Sequence, residues 1–332
     1  MIEVEHLVKK FGDFTAVNDL SFSVARGQVM GFLGPNGAGK STTMKMITGF
    51  LRPSSGTARI MGKDICDNML AAQRHFGYLP EGAPAWPDMT PRAFLQFITQ
   101  IRGLDKAAAR AAEARAIEMT ELHGVLDQPI DTLSKGYRRR VGLAQAIVHD
   151  PDVLVMDEPT DGLDPNQKFQ VRRAITDMAR DKAIIISTHI LEEVDAVCGA
   201  AMIIDRGQIV AEGTPSALAA RSRYSGTVTL TLARQELPAA RALLKKVNHQ
   251  SAELVTRGDE STLHIFAADG TEPSTLLADM RAAIGAAGLS PRALALEIGR
   301  LDDVFGALTG KARPAAKSFD AVFEAQDKGA GS

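Results

Sequence analysis

The sequence predicts an α/β fold in which a mixed sheet core carries helices on both faces, followed by a smaller α+β unit. Three observations carry this expectation. Short, almost wholly apolar runs such as Val153 to Met156 and Ala183 to Ser187 alternate with helical segments, the pattern of strands covered on both sides. A glycine-rich run, Gly34 to Ser41, separates an apolar strand from a helix. Beyond residue 226 the order strand, helix, strand, strand, helix, strand reads as a small ferredoxin-like sandwich.

Taken in order, strands are expected at Ile2 to Val8, Leu20 to Val24 and Gln28 to Leu33, with a turn near Gly12 and Asp13. A helix from Lys40 to Phe50 follows, ended by Gly49 and the Pro53 to Gly56 turn. Strands at Thr57 to Met61 and Phe76 to Leu79 come next. The proline-rich stretch Pro80 to Pro91 then opens a helical insertion, about residues 82–150, in which alanine-rich Lys106 to Met119 is the strongest helix. Sheet character resumes with Val153 to Met156, helix Gln167 to Arg180, and strands at Ala183 to Ser187, Ala201 to Asp205 and Gln208 to Ala211. The first domain is expected to cover residues 1–220, the accessory domain 226–310, and residues 311–332 a disordered tail with few apolar anchors.

Composition removes several function classes. The 332 residues hold 38 Lys plus Arg against 40 Asp plus Glu, so no net field draws the chain to nucleic acid or anionic lipid. Three Tyr and one Trp leave little surface for stacking bases, and no nucleic-acid partner is expected. Cys66 and Cys198 form no C-x-x-C pair and read as free thiols in a reducing cytosol. The N-terminus reads as a strand, not a signal peptide, and no apolar run approaches the roughly 18 to 20 residues of a membrane span. A role at a membrane would require another chain to hold this one there.

The chemistry lies in four short segments. Gly34-Pro35-Asn36-Gly37-Ala38-Gly39-Lys40-Ser41, with Thr42 following, fits G-x-x-x-x-G-K-[ST] between strand and helix. Backbone N–H groups from Asn36 to Ser41 would line a concavity at a helix N-terminus that favours phosphate. Lys40 adds a point charge and Ser41 a hydroxyl ligand for Mg²⁺. Asp157 and Glu158 end an apolar strand, the edge where open α/β sheets bind ligands. Asp157 suits Mg²⁺ through water, and Glu158 suits a base that deprotonates an attacking water. Ser134 and Gly136 open a second helix start suited to an anion. His189, after Ile185-Ile-Ser-Thr, is a candidate γ-phosphate sensor.

In this order the motifs closely resemble the ATP-binding cassette family over residues 1 to about 220. The resemblance makes Gly34 to Ser41 the Walker A loop, Asp157 and Glu158 the Walker B pair, and Leu133 to Tyr137 the signature. It makes Asp161 to Asp164 the D-loop, His189 the switch histidine, and Phe11 the aromatic that stacks on adenine. It implies ATP and Mg²⁺ as cofactors, with Ser41, Asp157 and Glu81 toward the metal. It also implies head-to-tail pairing of two cassettes, as a homodimer or with a related chain, and a separate integral-membrane permease. Such a chain sits on the cytoplasmic face of the membrane through that permease.

Three departures stand out. Lys135 and Tyr137 replace glycine and glutamine of the usual Leu-Ser-Gly-Gly-Gln signature, Glu81 stands at the Q-loop glutamine, and Asp161 takes a usual serine position. These features, with Leu301 to Gly310, resemble the gliding-motility and drug-resistance exporter branch. The alternative is a soluble cassette ATPase acting on ribosomes or DNA. A second Walker A motif, a long heptad array or a cysteine cluster would mark it, and the sequence displays none.

Overall fold

The computed structural model describes residues 1–83, 85–310 and 317–321, which divide into two compact units, Met1–Pro215 and the chain from Ser216 onward. The first unit holds a four-stranded antiparallel sheet ordered β2-β1-β4-β5, formed by β1 (Ile2–Phe11), β2 (Phe14–Val24), β4 (Ser55–Ile60) and β5 (Lys63–Asp64). Its second sheet has six strands ordered β10-β9-β3-β8-β7-β6. These are β3 (Val29–Leu33), β6 (Phe76–Leu79), β7 (Val153–Asp157), β8 (Ala183–Thr188), β9 (Ala200–Asp205) and β10 (Gln208–Gly213). All neighbours are parallel except β10, which runs antiparallel along β9. Every residue of β3, β7 and β8 is buried, which is why these strands read as unbroken apolar runs.

Helix α1 (Lys40–Ile47) lies in the core shared by the two sheets: Met44, Met46 and Ile47 pack in one cluster with Ile2, Leu20, Phe32, Val155 and Ile185. Phe22 of one sheet meets Phe32 of the other edge-on at 4.9 Å. Each such fully buried side chain contributes roughly 1.5–3 kcal/mol. The loop that starts α1 is thereby anchored on both flanks. The helix stops at Ile47, short of the expected Phe50, because the Thr48 hydroxyl donates to the Met44 carbonyl and Gly49 turns left-handed at φ +71°.

Helix α2 (Met69–Gln73), too short to show a period in the sequence, precedes β6, and the insertion contains α3 (Pro91–Ile101), α4 (Lys106–Thr120) and α5 (Lys135–Ile147). Their starts are written in cap residues. Thr90 accepts from the Ala93 N–H, Asp105 from those of Ala107 and Ala108, and Ser134 from that of Tyr137. Gly77 of β6 lets α5 lie directly on the sheet, since a Cβ there would overlap the Ala146 carbonyl. Just past α5, His149 donates from Nε2 to the Phe76 carbonyl at 3.1 Å, while Nδ1 is buried without a partner. Burial, reinforced by the Arg102 charge, pushes its pKa down to about 4. Helices α6 (Pro165–Ala179) and α7 (Leu191–Val197) complete this unit, and α8 (Pro215–Ala219) spans the point of division.

The second unit is built from β11 (Val228–Ala233), α9 (Leu237–Leu244), β12 (His249–Arg257), β13 (Glu260–Ala267), α10 (Pro273–Ala287) and β14 (Ala293–Leu296), the expected βαββαβ order. The sheet runs β14-β11-β13-β12-β15, all antiparallel, and Leu230, Leu263, Ile265, Leu276 and Met280 form the core against both helices. Two features depart from expectation. Leu301–Leu308 forms α11, with Leu301 and Val304 buried. The tail expected to be disordered contributes β15 (Lys317–Ser318), paired with β12, and Phe319, which is 2% exposed in the core. A segment of so few apolar residues gives too short a pattern to mark a core position, yet the Phe319 ring removes as much apolar surface as a core residue. The rest of the expected tail, residues 311–316 and 322–332, lies outside the described residues.

Phe319→Ala should destabilise the second unit by about 3–5 kcal/mol, read as faster native-state hydrogen exchange at Leu254 and Leu263 of the full chain. His149 makes stability acid-sensitive. Its folded pKa of about 4 lies below the ordinary 6.5, so the unfolded chain takes up a proton that the folded chain refuses. The contribution is complete above about pH 6.5 and is lost as pH falls toward 4, about 2 kcal/mol by pH 5. Urea titrations at pH 7.5 and pH 5 should show this loss, and His149→Gln should remove most of the difference.

Candidate functional site

The candidate site is assembled at the C-terminal ends of β3, β7 and β8, neighbours in the sheet. β3 delivers the chain into Gly34–Gly39, where Gly37 (φ +82°) and Gly39 (φ +105°) adopt conformations closed to most side chains. At Gly39 the space is closed too: a Cβ would come within 2.6 Å of the Ala16 carbonyl. Gly39 is the N-cap of α1 and supplies no side-chain cap, so the first N–H groups of this helix face the loop's concavity. Lys40, 6% exposed, donates from Nζ to the carbonyls of Gly34 (2.7 Å) and Pro35 (3.2 Å). Burial lowers its pKa, and the charges of Glu158, Asp157 and Glu81 pull it back up. Ser41 and Thr42 follow, half-buried in the first turn.

At the end of β7, Asp157 is 1% exposed. Its Oδ1 accepts a hydrogen bond from the Ser187 hydroxyl of β8, and its Oδ2 is buried with no protein partner. Glu158 turns the chain at φ +53°, unusual outside glycine, and its N–H donates to the Ser187 carbonyl at 3.0 Å. That turn brings Glu158 Oε2 to 2.6 Å from His189 Nδ1. Glu193 of α7 braces the switch from behind, accepting from the Thr188 hydroxyl at 2.8 Å.

Arg139, which no motif marks, lies at the centre of these contacts. It is 5% exposed, and its guanidinium donates to the carbonyls of Pro80 (2.8 Å), Asp157, Glu158 and Pro159 (3.4 Å). In the run Arg138-Arg139-Arg140 both Arg139 and Arg140 are buried, and only the tertiary structure decides that Arg139 reaches this turn while Arg140 bonds Glu121 and Gln170. Glu81, Lys135, Arg139, Glu158 and Asp161 line one cleft of about 420 Å³.

Other expected site residues are held elsewhere in the unit. Phe11 is half exposed at the end of the β1–β2 hairpin, with Lys9 Nζ 5.1 Å above its ring. Ser134 caps α5, and Gly136 packs against Gln167 so closely that a Cβ would strike that side chain. Asp164 caps α6, accepting from the Gln167 N–H at 2.9 Å.

Residues 17–161 match the ABC transporter family. The Nod factor export ATP-binding protein I of Ralstonia nicotianae is 36% identical over 312 residues, 94% of this chain and 94% of that relative. The chain belongs to the ABC transporter family. A second Nod factor export ATP-binding protein I, from Burkholderia orbicola, is 41% identical over 65% of this chain and 72% of its own length. The probable multidrug ABC transporter ATP-binding protein YbhF of Escherichia coli is 36% identical over 67% of this chain and 38% of its own length. Among solved structures, an ATP-binding subunit of an ABC transporter superposes with a TM-score of 0.62 at 28% identity, over 66% of this chain and 91% of that one. The first unit therefore has the ABC cassette fold, and the chain is an ATP-binding ATPase subunit of that family.

The residues fit a nucleotide phosphate and a divalent cation on structural grounds. A Cβ at Gly34 or Gly39 would strike a backbone carbonyl, a buried ammonium donates only to loop carbonyls, and a buried carboxylate oxygen lacks any protein donor. Such an oxygen is costly to bury unless a cation or its water completes it. Gly39→Ala should lower affinity for ATP by at least about tenfold, measured by calorimetry on the full chain, with thermal unfolding showing that the fold persists.

Proposed function

We propose that this chain is the ATP-hydrolysing subunit of a membrane exporter, with Glu158 as the base for the attacking water. One observation carries the chemistry: Glu158 Oε2 lies 2.6 Å from His189 Nδ1, beside a buried Asp157 whose second oxygen has no protein partner. Gly34, Pro35, Asn36, Gly37, Ala38, Gly39 and Thr42 form the phosphate cradle, and Lys40 places its charge on the β and γ phosphates. Ser41, Asp157 and Glu81 would hold Mg²⁺, which when bound would neutralise phosphate charge. Ser187 holds Oδ1 of Asp157, which leaves Oδ2 free to help hold a divalent cation. His189 orients the Glu158 carboxylate, and a base so positioned contributes typically about 10² to 10⁴-fold. Phe11 offers its exposed ring to adenine.

Ser134 and Gly136 sit at a capped helix start with backbone donors to offer, which suits the γ-phosphate of ATP held by a second cassette. Asp164 keeps the neighbouring D-loop in shape by capping α6. ATP then favours the closed pair, and hydrolysis removes that preference. Export is inferred from the relatives named for it. No helix among the described residues is long and apolar enough to cross a membrane, so a separate permease chain would hold this subunit at the cytoplasmic face. The second unit, outside the cassette fold, is proposed as an accessory domain.

Glu158→Gln should retain ATP binding and lose at least about 100-fold in turnover, measured by phosphate release; normal hydrolysis would overturn the base. Immobilised with ATP and Mg²⁺, the same variant should retain a polytopic membrane protein from solubilised membranes and release it when Lys40→Ala is added. Retention of ribosomal or DNA-associated proteins alone would overturn the exporter reading.

A further inference from the structure

Helix α5 grips the chain on both sides of Glu158. Arg139 holds the carbonyls of Asp157, Glu158 and Pro159. Lys135 lies four residues earlier on the same face of the helix and reaches the far end of the segment, where its Nζ is 2.7 Å from Asp161 Oδ2. Its methylenes cover Gly162, where φ is +71° and a Cβ would come within 2.5 Å of Lys135 Cδ. Asp161 in turn closes the turn on Glu158, its N–H donating to the Glu158 carbonyl at 3.1 Å. The Lys135 ammonium holds the Asp161 carboxyl below the usual carboxylate range.

The pair is about half exposed, 62% at Lys135 and 50% at Asp161, so it adds at most about 1 kcal/mol to stability. Its geometry offers more than its energy. Lys135 is the residue between Ser134 and Gly136, so one helix start carries the donors proposed for the partner's ATP and the cation that holds this chain's own Glu158 turn.

We propose that Lys135 and Asp161 form a latch through which the start of α5 positions the turn bearing Glu158, coupling engagement of the partner's ATP to the placement of the base. This rests on the proposed roles of Glu158 and of the cassette pair. Lys135 acts through Asp161 and is a positioning residue.

The test compares Lys135→Met, Asp161→Asn and the charge swap Lys135→Asp with Asp161→Lys in the full chain. Without nucleotide, hydrogen exchange at the Glu158 and Asp161 amides should quicken about two- to fivefold in each single variant and recover in the swap. Unchanged exchange in both single variants overturns the latch, whether or not the protein hydrolyses ATP. In turnover, kcat should fall about three- to tenfold with KM for ATP within about twofold, and the Hill coefficient should drop toward 1. Lys135→Arg should keep both values. Single variants with unaltered kcat and Hill coefficient overturn the coupling. Normal hydrolysis by Glu158→Gln would instead remove the base assignment, leaving the exchange measurement to decide the latch.

Discussion

The site depends on one buried cation. Arg139 is enclosed where α5 meets the ends of β6 and β7, and a guanidinium in such a place is tolerable only if its donors are met. Four backbone carbonyls meet them, those of Pro80, Asp157, Glu158 and Pro159. Burial lowers its pKa, while the surrounding carboxylates, Asp157 first, favour the charged form. The helical insertion, the loop after β6 that bears Glu81 and the end of β7 with Asp157 and Glu158 are thus tied at a single point. Movement of α5 cannot leave the carboxylates where they were without breaking those bonds.

Around this point the backbone is held in costly conformations. Glu158 has a left-handed φ of +53°, which a carboxylate side chain rarely adopts. The turn persists because the sheet's last hydrogen bond, Glu158 N–H to the Ser187 carbonyl, completes it, and because the same serine's hydroxyl holds Asp157. The two neighbouring carboxylates are therefore aimed differently by one residue of β8. Asp157 is directed inward and buried, and Glu158 outward to His189. The separate roles proposed for Asp157 and Glu158 would follow from that geometry.

The second unit follows different physics. Its core of aliphatic side chains is small for a domain, and an edge strand such as β12 would leave unpaired backbone groups exposed. Lys317–Ser318 pairs along that edge, and Phe319 enters the core beside it. A polar tail thus supplies both an edge cover and a core side chain to a sandwich that the periodicity of residues 226–310 already described.

The sequence by itself determined the cradle, the strand order of chemistry and the βαββαβ unit, because each is a local pattern. Glycines are required where φ is positive, as at Gly37 and Gly39. Unbroken apolar runs are required where both faces of a strand are covered, and Ser134, Asp105 and Thr90 mark helix starts by side-chain caps. Only the tertiary structure decided which of three consecutive arginines reaches the Glu158 turn, that Ser187 sets the Asp157 rotamer, that Lys135 meets Asp161, and that Phe319 belongs to a core. Those contacts join residues 18 or more positions apart, or depend on helix phase, and no window along the chain contains both partners. Asp164 shows the same limit: motif position placed it in the D-loop, and the folded chain adds that its carboxylate caps α6. Local pattern encodes what a backbone segment must be, and packing alone encodes what it touches.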